Sequence, residues 1–266
     1  MNELAKVNEA VEYIKSFAED FESDVAIIIG STIFDYDIIK EIDYKDIPNF
    51  PVPLEDGYVG KLILASIQGI NCYIMNGRIY SYDGLSSVDI IRPIRILRNL
   101  GVKKILLTSA AGAVNLDFEP GELMLITDHV NFGGDNPLKG AEALEFGPRF
   151  PIMTNAYDLE LQEIIRETAI SLDIPLNEGI FLKLSGPSYE TPAEVRIARA
   201  LGADVVGMSN VYDCIAAVQC GLRVAGLSCI TNMAAGITEE ETDRYATLEV
   251  CNSLLSTLLV EVIKKI

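Results

Sequence analysis

Short, unbroken apolar runs set the tightest limit on what this chain can become. They fall at Val25–Ile29, Leu62–Ile67, Cys72–Met75, Ile105–Thr108, Leu123–Thr127, Ile180–Leu184, Val205–Met208 and Val224–Ile230. A strand with one wet face alternates apolar and polar residues, so runs like these belong to strands buried on both faces. Helical periodicity fills the intervals at about 86–99, 158–172, 192–201, 211–220 and 244–264. The alternation predicts an α/β fold, a single domain spanning 1–266 with a mixed, mostly parallel central sheet flanked by helices. Leu4, Val7, Val11, Ile14, Phe17 and Phe21 recur at helical spacing and predict an N-terminal amphipathic helix at about 3–21, not a signal peptide.

Local signals mark some helix ends. Thr191 reads as an N-cap, Pro192 as the first helical residue, Glu194 as the return arm of a capping box and Gly202 as the stop. Pro93, inside the 86–99 pattern, predicts a kink or a late start there.

Charge and cysteine content exclude several roles. With 39 acidic and 21 basic side chains the formal charge is −18. Such a chain repels nucleic-acid polymers and anionic membranes, and any anionic ligand needs a local pocket of donors. No apolar run reaches the roughly 18 to 20 residues of a membrane span. The cysteines, Cys72, Cys214, Cys220, Cys229 and Cys251, are scattered and odd in number, as expected of reduced core thiols in a cytoplasmic protein. A single histidine, His129, rules out a multi-histidine metal site.

One local pattern recurs three times: a glycine ending a helix, an apolar strand, then small polar residues. Gly101 leads to Ser109-Ala110, Gly202 to Met208-Ser209, and Gly221 to Thr231-Asn232. Ligands collect at the carboxyl ends of strands in open α/β sheets, so these three ends are expected to converge.

Several residues have two readings. Glu190, beside Tyr189 and just before a helix, can accept hydrogen bonds from a planar heterocycle, or can simply favour the helix N-terminus. Asn232 can read a base edge or form a turn. Gly30-Ser31, Gly77-Arg78 and Ser109–Gly112 are candidate anion donors, each common on its own. His129 can do acid-base work, but a ring held by Asp128 or by a backbone carbonyl is the favoured reading, since no nucleophile lies nearby in sequence. Glu239-Glu240-Glu241 reads as a solvated loop.

Longer motifs sharpen this. Gly186–Glu194 (GPSYETPAE), Gly202–Ser209 (GADVVGMS), Cys220–Asn232 (CGLRVAGLSCITN), Ser109–Asn115 (SAAGAVN) and Asp128–Leu138 (DHVNFGGDNPL) stand in an order that resembles the trimeric purine nucleoside phosphorylases. The resemblance runs from about Val25 to Asn232 and more weakly onward. It implies that a purine nucleoside and inorganic phosphate become free base and ribose 1-phosphate, with phosphate as co-substrate and no cofactor or metal. It further implies that Glu190 and Asn232 hold the base, beside Thr231, with Tyr189 as an aromatic wall. Met208 would lie under the ribose, and Tyr82 would touch the sugar. Ser31, Arg78, Tyr80, Ser209 and the Ala110 N–H would hold phosphate. Phe150 matches a residue that reaches into a neighbouring subunit's site, which implies a homotrimer. Asn232, where adenosine-type relatives carry Asp, implies a 6-oxopurine such as hypoxanthine or guanine.

The sequence departs from the family at identifiable points. Tyr80, Tyr58 and Tyr245 stand where the family has histidines, Tyr245 loosely at the ribose 5′-hydroxyl. Asp83 stands for Glu, and Thr32-Ile33-Phe34 replaces a glycine-rich phosphate loop. These changes keep open a preference for 5′-modified nucleosides such as 5′-methylthioinosine, and a non-catalytic nucleoside-binding homologue.

Overall fold

A computed structural model describes residues 1–30, 35–54, 60–238 and 243–266. Ser31, Thr32–Phe34, Tyr58 and Glu239–Glu241, singled out above, lie outside the described residues. Among the described residues, in chain order, the helices are α1 (Glu3–Ala18), α2 (Ser87–Asn99), α3 (Leu159–Ser171), α4 (Pro192–Ala200), α5 (Val211–Gln219) and α6 (Arg244–Ile263). The strands are β1 (Val25–Ile29), β2 (Asp37–Asp43), β3 (Lys61–Ile67), β4 (Ile70–Asn76), β5 (Lys104–Ala113), β6 (Leu123–Asn131), β7 (Leu176–Lys183), β8 (Val205–Gly207) and β9 (Arg223–Met233).

They form one nine-stranded mixed sheet in the order β2-β3-β4-β1-β5-β8-β7-β6-β9. The added β5–β9 pairing closes β5, β8, β7, β6 and β9 into a ring. The pairings β1–β4, β1–β5, β5–β9, β6–β7 and β7–β8 are parallel, and β2–β3, β3–β4, β5–β8 and β6–β9 are antiparallel. The sheet is therefore mixed with only a slight parallel majority.

Burial on both strand faces explains the unbroken apolar runs. Ala26 and Ile28 of β1 join a core with α1, α2 and α5, while Val25, Ile27 and Ile29 join another with α3 and α6. Helix α1 is pinned by Glu3, 2% exposed, whose carboxylate accepts from Arg92 Nε at 2.9 Å and Nη2 at 3.0 Å. The capping box of α4 forms as expected: the Glu194 N–H donates to Thr191 Oγ1, and the Glu194 carboxylate accepts the Thr191 N–H at 2.7 Å. Helix α2 begins at Ser87 with Pro93 inside it, so no late start occurs. Helix α6 is long and apolar enough to cross a membrane by length and composition, contrary to the expectation that no segment would be. Its Cys251, Leu255, Leu258, Leu259, Val262 and Ile263 are instead buried against the sheet.

Candidate active site

The three polar strand ends do converge. Ala110–Gly112 of β5, Met208-Ser209 after β8 and Thr231-Asn232 of β9 line one cavity of about 450 Å³. Tyr189 and Glu190 enter from the loop after β7, Tyr80 and Tyr82 from the turn after β4, and Arg244, Tyr245 and Leu248 from the start of α6. Parallel pairing of β5 with β9, through Ala111↔Ile230 and then Gly112↔Asn232, sets the first two walls in register.

Glu190 and Asn232 meet across Gly112. A β-carbon built on Gly112 would lie 3.1 Å from Asn232 Nδ2 and 3.6 Å from Glu190 Oε1, so only glycine leaves that space open. The α4 N-terminus is already served by Thr191 and Glu194, which frees Glu190 from capping duty and leaves its carboxylate on the cavity wall. The Asn232 amide is fixed at both ends: Thr231 Oγ1 lies 3.0 Å from its Oδ1, and its Nδ2 donates to the Met233 carbonyl at 2.8 Å. Nδ2 carries a second proton free for a ligand.

Met208 and Tyr82 crowd the loop at Gly186, whose φ is +67°. A β-carbon there would come within 2.8 Å of Tyr82 Cδ1 and closer still to Met208 Sδ. Gly186→Ala is expected to cost about 1 to 3 kcal/mol in stability, because both the left-handed backbone and the contact resist it. It should also raise the substrate KM by displacing Met208 and Tyr82 from the cavity wall. Thermal denaturation and steady-state kinetics on the variant check both effects; wild-type Tm and KM would show that the cramped geometry has no consequence.

The tyrosines contribute more than a wall. Tyr80 and Tyr82 stack with ring centres 4.7 Å apart and planes 11° from parallel. Asp83 secures that turn, accepting the Tyr80 N–H at 2.9 Å. Tyr189 carries the Arg244 guanidinium 4.1 Å above its ring. Sequence reasoning passed over Arg244, whose position on the first turn of α6 was the available signal.

Arg78 sits behind the cavity lining, 4% exposed. Its Nε donates to the Thr108 carbonyl at 2.9 Å, its Nη1 to Asp213 Oδ2 at 2.9 Å, and its Nη2 to Asn210 Oδ1. Asn210 holds a left-handed φ of +62° before α5, and its Nδ2 donates to Ser109 Oγ at 2.7 Å. Arg78 thus braces the chain just before Ala110 and just after Ser209, two residues of the cavity lining. The Asp213 and Asn210 partners were not foreseen. Burial pushes the Asp213 carboxyl up, and the Arg78 ion pair opposes that shift.

Phe150, expected to reach a neighbouring subunit's site, and His129, expected as a ring held at a strand end, both lie away from this cavity. Phe150, 85% exposed, lines a separate cavity of about 600 Å³ with His129, Arg149 and Met153. His129 is held by neither Asp128 nor a carbonyl through its ring: Nδ1 lies 3.2 Å from the Tyr157 hydroxyl, with the rings edge to face. Burial pushes the His129 pKa below its ordinary 6.5, so the imidazole is neutral at pH 7.

The strand ends thus gather an amide, a carboxylate and small residues into one cavity of a mixed α/β sheet. A family model described as the phosphorylase superfamily matches residues 24–264, and the chain belongs to that superfamily. It is 43% identical over 219 residues to purine nucleoside phosphorylase 1 of Bacillus subtilis, covering 82% of this chain and 81% of that protein. It is also 43% identical to the purine nucleoside phosphorylase of Bos taurus, over 73% of this chain and 68% of the relative. The solved structure of Schistosoma mansoni purine nucleoside phosphorylase in complex with inosine superposes with a TM-score of 0.92 at 29% identity, covering 100% of this chain and 98% of that one.

Proposed function

We propose that the chain is a purine nucleoside phosphorylase acting on 6-oxopurine nucleosides such as inosine and guanosine. The meeting of Glu190 and Asn232 across Gly112 carries this reading. A phosphate oxygen attacks C1′ of the ribose, the C1′–N9 bond breaks, and its electron pair leaves on the purine. Ribose 1-phosphate and free base result, so phosphate is the co-substrate and the chemistry calls for no further cofactor. The sugar carries oxocarbenium character on the way, and the protein's work is to align two substrates and to stabilise charge on the departing base. Asn232 Nδ2 donates to N7 as charge builds there. Glu190 accepts from N1–H, which a 6-oxopurine has and adenine lacks. Ser209, the Ala110 N–H and Arg78, with Ser31, serve the phosphate.

The same reading makes the protein a homotrimer of the cytoplasm, active in purine salvage. Phe150, with Ile152 at 81% exposed beside it, is an apolar surface suited to a neighbouring subunit. Five free cysteines, all buried, suit a reducing compartment.

The test is a panel of inosine, guanosine, adenosine and 5′-methylthioinosine, each with and without phosphate. Phosphate-dependent release of hypoxanthine and guanine, well above that of adenine, is expected. Equal or greater turnover of 5′-methylthioinosine would move the assignment to 5′-modified nucleosides. Binding with no turnover would make the chain a nucleoside-binding homologue.

A further inference from the structure

The wall and the acceptor for the base stand on a segment with little backbone support. Residues 184–191 run as irregular chain between β7 and α4, and among the described residues 186–190 take part in no backbone–backbone hydrogen bond. Gly186 is wedged against Met208 and Tyr82 at one end, and Thr191 is fixed by the capping box at the other. Tyr189 and Glu190 lie between these anchors. Tyr189 is 67% exposed, so burial in the core does not set its ring.

Arg244 reaches that ring from another wall of the same cavity. It stands on the first turn of α6, and its guanidinium lies 4.1 Å from the Tyr189 ring centre. The turn is a firm mount, because Asp243 Oδ1 accepts the N–H of Tyr245 at 3.0 Å and of Ala246 at 3.2 Å. A cation on the first turn opposes the helix dipole, so helix stability does not account for an arginine there. Among the described residues lining the cavity, Arg244 is the one basic side chain.

We propose that Arg244 is a positioning residue for the nucleoside: stacked on Tyr189, it ties the irregular segment to the capped start of α6 and so holds Tyr189 and Glu190 where they receive the base. Glu190 Oε1 is thereby kept beside Gly112, across from Asn232. The inference rests on Tyr189 and Glu190 holding the base, as read above. Arg244 acts through the tyrosine ring and touches none of the reacting atoms.

An exposed cation–π contact corresponds to about two- to fivefold in affinity. Arg244→Ala is therefore expected to raise the inosine KM by about that factor, and equally the inosine Kd measured by calorimetry without phosphate. The kcat and the phosphate KM should move far less, and Arg244→Lys, which returns a cation to the ring, should recover most of the loss. The decisive measurement is a cycle with Tyr189→Leu. That change weakens inosine binding by itself, and adding Arg244→Ala should then weaken it no further, because the ring that carries the effect is gone. A merely structural role for Arg244 would give the same loss in both backgrounds. Arg244 is exposed, and circular dichroism checks each fold; Arg244→Met, which keeps the side-chain stem, supplies the same comparison if the alanine variant does not fold. An unchanged inosine Kd in Arg244→Ala, equal losses with and without the Tyr189 ring, or a rise confined to the phosphate KM overturns the inference, while wild-type turnover leaves the phosphorylase reading intact. Wild-type protein that binds inosine without cleaving it removes the phosphorylase reading alone, since the Kd cycle still decides the role of Arg244. Protein that neither binds nor cleaves inosine removes both.

Discussion

Arg78→Ala is expected to abolish measurable phosphate-dependent base release and to destabilise the fold by about 3 to 5 kcal/mol, the usual cost of stranding one partner of a buried ion pair. The guanidinium fills an intersection of three acceptors: the Thr108 carbonyl, Asn210 Oδ1 and the Asp213 carboxylate. Its removal strips Asp213 of its ion-pair partner and releases Asn210, the residue that holds Ser109. The pH dependence has a definite sign. Burial already raises the Asp213 pKa, and losing Arg78 raises it further above the unfolded value. A carboxyl whose folded pKa is raised binds more protons folded than unfolded, so its cost grows as pH rises through that window and shrinks as pH falls. The stability deficit of Arg78→Ala against wild type should therefore be largest near neutrality and narrow toward pH 4. Urea denaturation of both proteins across that range measures it, and a deficit independent of pH would rule out a stranded Asp213 charge as the cause.

A double variant separates folding from chemistry. Arg78→Met with Asp213→Asn removes both charges and should recover most of the lost stability, since neither member of the pair is left as a stranded ion. Phosphorolysis should stay lost. Activity that returned with stability would show that Arg78 supports the fold alone.

The residues that make Arg78 matter are also those that a linear reading misses. Its carboxylate partner lies 135 residues away, and nothing about Asp213 within the α5 pattern sets it apart from a solvated helix residue. The same holds for Tyr157, which takes the His129 ring from 28 residues off. Strand β2 escaped for another reason: Asp37–Asp43 is an edge strand, mostly exposed, whose order comes from pairing with β3 and not from its own apolar content. Buried strands were legible because burial on both faces leaves an unbroken apolar record. Their functional ends were legible as small polar residues after each run, yet β5 and β9 continue as strand through Ala113 and Met233. The cavity residue Asn232 thus stands on paired strand, one residue after the break in register at Thr231, where the ladder fixes it more rigidly than a loop would.

That rigidity bears on the last substitution. Thr231 Oγ1 and the Met233 carbonyl hold the Asn232 amide in one orientation, with Nδ2 toward Gly112 and the cavity. A donor preset where charge develops needs no reorganisation during reaction, and losing one such donor costs about 10²- to 10³-fold in kcat. Asn232→Ala should show that loss with inosine, with kcat falling more than KM rises. Asn232→Asp is the sharper probe, because it keeps the shape and replaces the donor with an acceptor. A carboxylate facing the N7 lone pair repels a 6-oxopurine, but a carboxylate can accept from the 6-amino group of adenosine. The ratio of kcat/KM for adenosine over inosine should therefore rise by about 10²-fold or more, mostly through the loss on inosine. An unchanged ratio in a folded Asn232→Asp protein would mean that the amide does not read the base, and the purine would then have to be oriented by Glu190 alone.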